Sequence, residues 1–195
     1  MSLGWRQPDS SEHLIPLFAS RAAAMKAFQD YYPDELAYCF GCGRLNPQGH
    51  QLKSFWEGDE TMARFTPKPF HTAIPGFVNG GVLASLVDCH ATGTAAAAAY
   101  RAEGREMGTL PAHRFVTASL RVDYVRPTPL GPELVVRGLV RSVTGRKVIV
   151  DVEVVAEGTT TVRGEVVCVE LPDSMKPPTA LELIESSDPT ARVVR

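Results

Sequence analysis

No surplus of charge marks this chain. Its 20 Lys and Arg stand against 22 Asp and Glu, a net charge of −2 at pH 7. That balance favours neither nucleic acid nor an anionic membrane surface as a partner, and any basic patch has to be local. No uninterrupted apolar run reaches spanning length with charge-free flanks, and the opening Met-Ser-Leu-Gly-Trp-Arg lacks a signal-peptide core. Both observations lead us to expect a cytoplasmic protein with no membrane partner. Cysteine is scarce. Cys39 and Cys42 have the spacing of half a zinc site, but no second Cys pair follows, and His50 and His71 are the only nitrogen ligands nearby. The expectation is a bare turn with reduced thiols and no metal. Cys89 and Cys168 fall in apolar surroundings, where free Cys acts as a small hydrophobe.

Apolar content is ample: 44% of 195 residues can bury the core of one domain with tails. Residues 1–38 read as a partly helical N-terminal leader, since Leu14, Leu17, Phe18, Ala22, Met25, Phe28 and Tyr32 recur at near-helical spacing until Pro33. The domain proper is expected over 39–171, opening on a loop rich in Gly, Pro and Asn at 39–49. Residues 172–195, with Pro177-Pro178 followed by Glu, Ser and Asp, read as a flexible C-terminal tail.

Two short strands are predicted at 51–56 and 61–66, then a helix from Gly80 to Arg101 that includes the run Ala95 to Ala99 and stops at Gly104. Gly93 in its middle suggests close packing against another backbone. Its residues are small or apolar all round, as in an enclosed helix. Four more strands follow at 115–125, 133–143, 147–156 and 160–170, with Thr-Gly-Arg and Glu-Gly-Thr as hairpin joints. In the first of these, Val116, Ala118, Leu120, Val122 and Tyr124 fall on one period and Thr117, Ser119, Arg121 and Asp123 on the other. The fold class is α+β, with an antiparallel sheet wrapped around the long helix.

The stretch Gly76-Phe-Val-Asn-Gly-Gly-Val-Leu-Ala-Ser-Leu-Val-Asp88 carries the chemistry. Gly80-Gly81 lets a backbone approach a ligand, and free N–H groups at a helix start can hold an oxyanion. Asp88 is the only acidic residue between Glu60 and Glu103. Asn79 suits the N-cap position and equally a substrate-orienting role.

The order of elements, with Cys-Phe-Gly-Cys-Gly-Arg-Leu-Asn-Pro-Gln-Gly at 39–49, Pro-Gly-Phe-Val-Asn-Gly-Gly at 75–81, Asp88, and Ser-Leu-Arg-Val-Asp-Tyr-Val-Arg-Pro at 119–127, resembles the PaaI-like family of hotdog-fold acyl-CoA thioesterases. The resemblance implies a backbone N–H donor at Gly80, a nucleophile or general base at Asp88, and a water-positioning hydroxyl at Thr117. It implies no cofactor beyond the CoA of the substrate. The residue before Gly-Gly is usually His in that family, and here it is Asn79.

Hydrolysis of a thioester needs an oxyanion donor and an activated oxygen. Gly80 and Asp88 meet those needs, Asp88 either by direct attack to an anhydride or by deprotonating water. Eight residues of helix separate them by about 12 Å, so one thioester cannot reach both in a single chain. A homodimer is then the minimum active unit, a tetramer remaining open. Gly81 and His71 are candidate substrate contacts, and Arg126, Arg146 and Lys147 are candidates for the CoA phosphates. His90 lies about 200° around the helix from Asp88 and makes a poor dyad partner. The competing readings are a non-catalytic acyl-CoA-binding module, suggested by Asn79, and a hotdog dehydratase or hydratase.

Overall fold

The computed structural model describes residues 26–175. Apolar residues at every second position give the second half of the chain strands with one buried face. These are β3 (Phe115–Tyr124), β4 (Leu134–Thr144), β5 (Lys147–Ala156) and β6 (Thr159–Glu170), joined to the earlier β1 (Ser54–Glu57) and β2 (Glu60–Phe65). All pair antiparallel in one sheet of order β1-β2-β4-β5-β6-β3. Val136, Val150, Val152, Val154, Val162 and Val166 turn inward and are fully buried.

The long helix α1 (Gly80–Ala102) lies across that inner face. Leu86, Val87, Ala91, Ala95 and Ala96 have no exposed surface. Each fully buried Leu or Val side chain contributes about 1.5–3 kcal/mol. By length and composition α1 could cross a membrane, but 78% of its apolar window is buried inside the protein. Two sheet glycines permit the close approach. A Cβ on Gly164 would stand 2.5 Å from Val87 Cγ1, and one on Gly138 would stand 2.5 Å from Thr61 Oγ1 and 2.9 Å from His90 Nε2. This is the hotdog arrangement that the resemblance implies.

Four local expectations change. β1 starts at Ser54, not Gln51, because Gln51 takes a left-handed backbone (φ 52°) and Leu52 bonds instead to the carbonyl of Gly41. The helix expected up to Tyr32 is absent from its described part, from residue 26 onward. Pro33 separates two short 3-10 turns, Phe28–Tyr31 and Asp34–Leu36. Phe28, Gln29 and Tyr32 are buried, and Gln29 exchanges hydrogen bonds with Ser54, 2.8 Å from the Ser54 N–H and 3.0 Å to its Oγ. A domain boundary at residue 38 therefore cuts through packed chain. Gly93 faces the Gln29 side chain, 2.7 Å from where a Cβ would sit, and not a second backbone. The rest of the leader, and the tail beyond 175, lie outside the described residues.

Candidate active site

The helix start is held from three sides. Asn79 is its N-cap, and its Oδ1 accepts from the N–H groups of Gly81 (2.8 Å) and Val82 (3.4 Å). The Asn79 N–H donates to the carbonyl of His71 (2.8 Å), and Tyr124 Oη donates to the carbonyl of Gly80 (2.8 Å). The cap consumes the Gly81 N–H, so Gly81 does not offer a donor to a ligand. Among the described residues no acceptor is paired with the Gly80 N–H, at the positive end of the helix. Sequence reasoning missed Tyr124 as a part of this assembly, although it lies in the quoted 119–127 motif.

His71 is not an exposed loop residue. It is buried at 8% exposure and packs edge-on against His50 and Phe70, with Phe65 tilted beside it. Its Nδ1 accepts from the Lys68 N–H (3.0 Å), and burial, then the nearby Lys68 charge, hold the ring below the ordinary histidine range. Its contribution here is the carbonyl that ties down Asn79.

Two turns along α1, half-buried Asp88 accepts a hydrogen bond from Thr117 Oγ1 through Oδ1. Burial raises the Asp88 carboxyl above its ordinary value. The Thr117 bond opposes that rise, Cys39 adds to it, and the Arg114 guanidinium opposes it. Thr117 reaches Asp88 because of an irregularity in β3. It pairs with buried Cys168, but the register then shifts, so Ser119 meets Val167 and Leu120 meets buried Val166. Residues directly opposite share a face, so Thr117, Leu120 and Val122 all face α1 and Ala118 is the inserted residue. The simple alternation expected for this strand put Thr117 on the opposite face from Leu120 and Val122, and the bulge overturns it.

His90 leaves the helix on another side. It is fully buried, with Nδ1 2.9 Å from Ser54 Oγ and Nε2 3.1 Å from Thr61 Oγ1, and Thr61 in turn meets Thr94 at 2.6 Å. Burial pushes its ring down to about 4, so at neutral pH it is an uncharged member of a satisfied polar network.

The three candidate cations do not converge within one chain. Arg126 is exposed beside Thr161, to whose carbonyl its N–H donates (3.1 Å), at the Gly80 end of the sheet. Lys147, opposite Val169, and Arg146, paired with Glu170 at 3.2 Å, lie eight residues farther along β6, about 26 Å away. Two clefts of about 580 and 730 Å³ flank the Tyr100 end of α1, and neither is lined by Gly80, Asp88 or Thr117.

The thioesterase superfamily model matches residues 75–163, which span the helix start, Asp88 and Thr117. A thioesterase superfamily protein from Shewanella loihica, known from its crystal structure, is 45% identical. The match covers 72% of this chain and 100% of that one, with a TM-score of 0.56. This chain belongs to the thioesterase superfamily. It also shares its hotdog fold with the PaaI protein of E. coli, at 15% identity, 63% and 81% coverage and a TM-score of 0.52. A curated relative, the acyl-coenzyme A thioesterase THEM4 of Xenopus laevis, is 36% identical over 84 residues. That match takes in 43% of this chain and 32% of the relative, so the chain spans about a third of the relative's length.

Proposed function

We propose that this chain hydrolyses acyl-CoA thioesters to the free acid and CoA, at a site built from two copies. The observation that carries the reading is Asp88 itself: a half-buried carboxylate held at Oδ1 by Thr117. Its remaining oxygen, Oδ2, takes a proton from water as that water attacks the thioester carbon. The carbonyl oxygen becomes an oxyanion and is met by the Gly80 N–H. Collapse expels the CoA thiolate, which recovers the proton from Asp88, so water and thioester go to acid and thiol with atoms balanced. The acyl-CoA substrate class draws support from the curated relative.

The Gly80 donor and the Asp88 base stand eight residues apart on one helix, about 12 Å, and a second copy closes that gap. Support for such pairing lies in β3, which ends the sheet. It is 10 residues long, with Leu120 39% and Tyr124 53% exposed and Val125 46% exposed just beyond it. A long edge strand with exposed apolar side chains invites another strand. Arg126, exposed on the Gly80 side of the sheet, is the cation placed to meet a CoA phosphate.

The test is thiol release from a panel of short, medium, long and aromatic acyl-CoAs. Asp88→Asn should fold and assemble normally yet lose about 10²–10⁴ in rate. Gly80→Pro removes the N–H at a position where helices accept proline, and should be similarly impaired. Mixing the two inactive variants should restore about a quarter of wild-type activity, because half of the dimers then carry one intact site of two. Full activity in Asp88→Asn refutes the base, no recovery on mixing refutes the shared site, and tight binding without turnover identifies an acyl-CoA-binding module.

A further inference from the structure

The turn at residues 39–43 does not stand bare, because α1 brings it a third sulfur. Cys89, one residue beyond Asp88, meets Cys39 with sulfurs 3.6 Å apart, and the Sγ atoms of Cys39, Cys42 and Cys89 all lie within 4.8 Å of one another. We propose that Cys39, Cys42 and Cys89 form a three-thiolate binding site for a thiophilic divalent cation, with Zn²⁺ the fitting ion.

The geometry is close to what such an ion needs. Zinc–sulfur bonds of about 2.3 Å in a tetrahedral site set the sulfurs about 3.8 Å apart, so the triad must close by less than about 1 Å. The turn is shaped for that approach. A Cβ on Gly41 would stand 2.2 Å from Cys89 Sγ and 2.9 Å from Ser85 Oγ, so only glycine lets the loop lie on the helix at sulfur-contact distance. The Gly43 N–H closes the turn on the carbonyl of Cys39 (2.7 Å).

Charge supplies an independent argument. Arg114 lies over the Tyr32 ring at 4.1 Å, its Nη1 buried and without a hydrogen-bond acceptor, and its charge acts on all three sulfurs. A buried guanidinium with an unpaired N–H is costly unless an anion compensates it. One divalent cation with three thiolates carries a net charge of −1, which Arg114 neutralises. Binding displaces the thiol protons to solvent, no electron moves, and affinity rises with pH. Cys42 and Cys89 are buried while Cys39 is half-buried, so a fourth, exchangeable ligand enters on the Cys39 side. Loading fastens the loop to α1 one residue from Asp88.

The test uses the reduced full-length chain, stripped by a chelator and titrated with Co²⁺, then with Zn²⁺ in competition. One equivalent of Co²⁺ per chain should produce a thiolate-to-cobalt charge-transfer band, which Zn²⁺ abolishes, and Zn²⁺ should raise the Tm. Cys168→Ala removes the fourth cysteine and should leave the band and stoichiometry unchanged. Cys39→Ser, at the half-buried position, should lose the band while keeping the circular dichroism of the wild type. A wild type that takes no stoichiometric metal overturns the proposal, and so does a Cys39→Ser variant with an unchanged band. Formation of a Cys39–Cys42 disulfide in a chain that binds no metal when reduced overturns it in favour of a redox pair.

Discussion

Replacing His90 by Gln should flatten the acid-dependence of stability while leaving catalysis largely intact. The ring titrates near 6.5 when unfolded and at about 4 when folded, because burial disfavours its charged form. The folded pKa is depressed, so the neutral ring contributes stability that is fully present above about pH 6.5 and is lost as pH falls toward 4. Over the whole window the difference is worth about 3 kcal/mol, of which about 2 kcal/mol disappears between about pH 7 and pH 5. His90 is fully buried, so solvent screening takes little from this figure. Urea unfolding of wild type and His90→Gln across that interval measures it. Other titrating groups cancel in the difference between the two proteins, and the wild type should lose about 2 kcal/mol more than the variant. A difference within about 0.5 kcal/mol of zero, or of opposite sign, refutes the reasoning. Because His90 faces Ser54 and Thr61 and not the Asp88–Thr117 pair, thiol release by the variant near pH 7 should stay close to wild type. A dehydratase using His90 would lose its activity instead.

Thr117→Val removes a bond that favours ionised Asp88, so the acidic limb of the kcat/KM profile should move to higher pH, and Thr117→Ser should restore it; an unmoved limb in an active Thr117→Val enzyme counts against Asp88 as the titrating base. Asn79→Ala forfeits the cap on Gly81 and Val82 and should cost about 1 kcal/mol in chemical denaturation, with Asn79→Asp retaining most of it. Gly164→Ala drives a methyl toward Val87 and should destabilise by about 1–3 kcal/mol, seen as a lower urea midpoint; a neutral result means α1 stands farther from the sheet than 2.5 Å from Val87 Cγ1 implies.

Local order was legible in the sequence because it is written locally. The Ala run, Asn79 before Gly-Gly and Gly104 after it bracket a helix, and the observed α1 runs from Gly80 to Ala102. Alternation and turn residues mark β4, β5 and β6 to within about a residue, since hairpin partners are neighbours in the chain. The isolation of Asp88 in an apolar stretch singled it out before any contact was known, and the eight-residue spacing to Gly80 is a property of any helix.

Only the tertiary structure decided what those groups touch. One inserted residue at Ala118 turns Thr117 toward Asp88, and a bulge leaves no trace in simple alternation. His71 is buried because Phe65, from β2, and His50, from the loop before β1, close over it, which its own loop sequence does not report. Cys89 reads as one more small apolar residue until packing sets it beside a turn some fifty residues earlier, and only then do three scattered thiols become a site. Residues near in sequence constrain one another through backbone geometry. These distant ones meet through burial and close packing, which depend on the whole sheet and helix being in place.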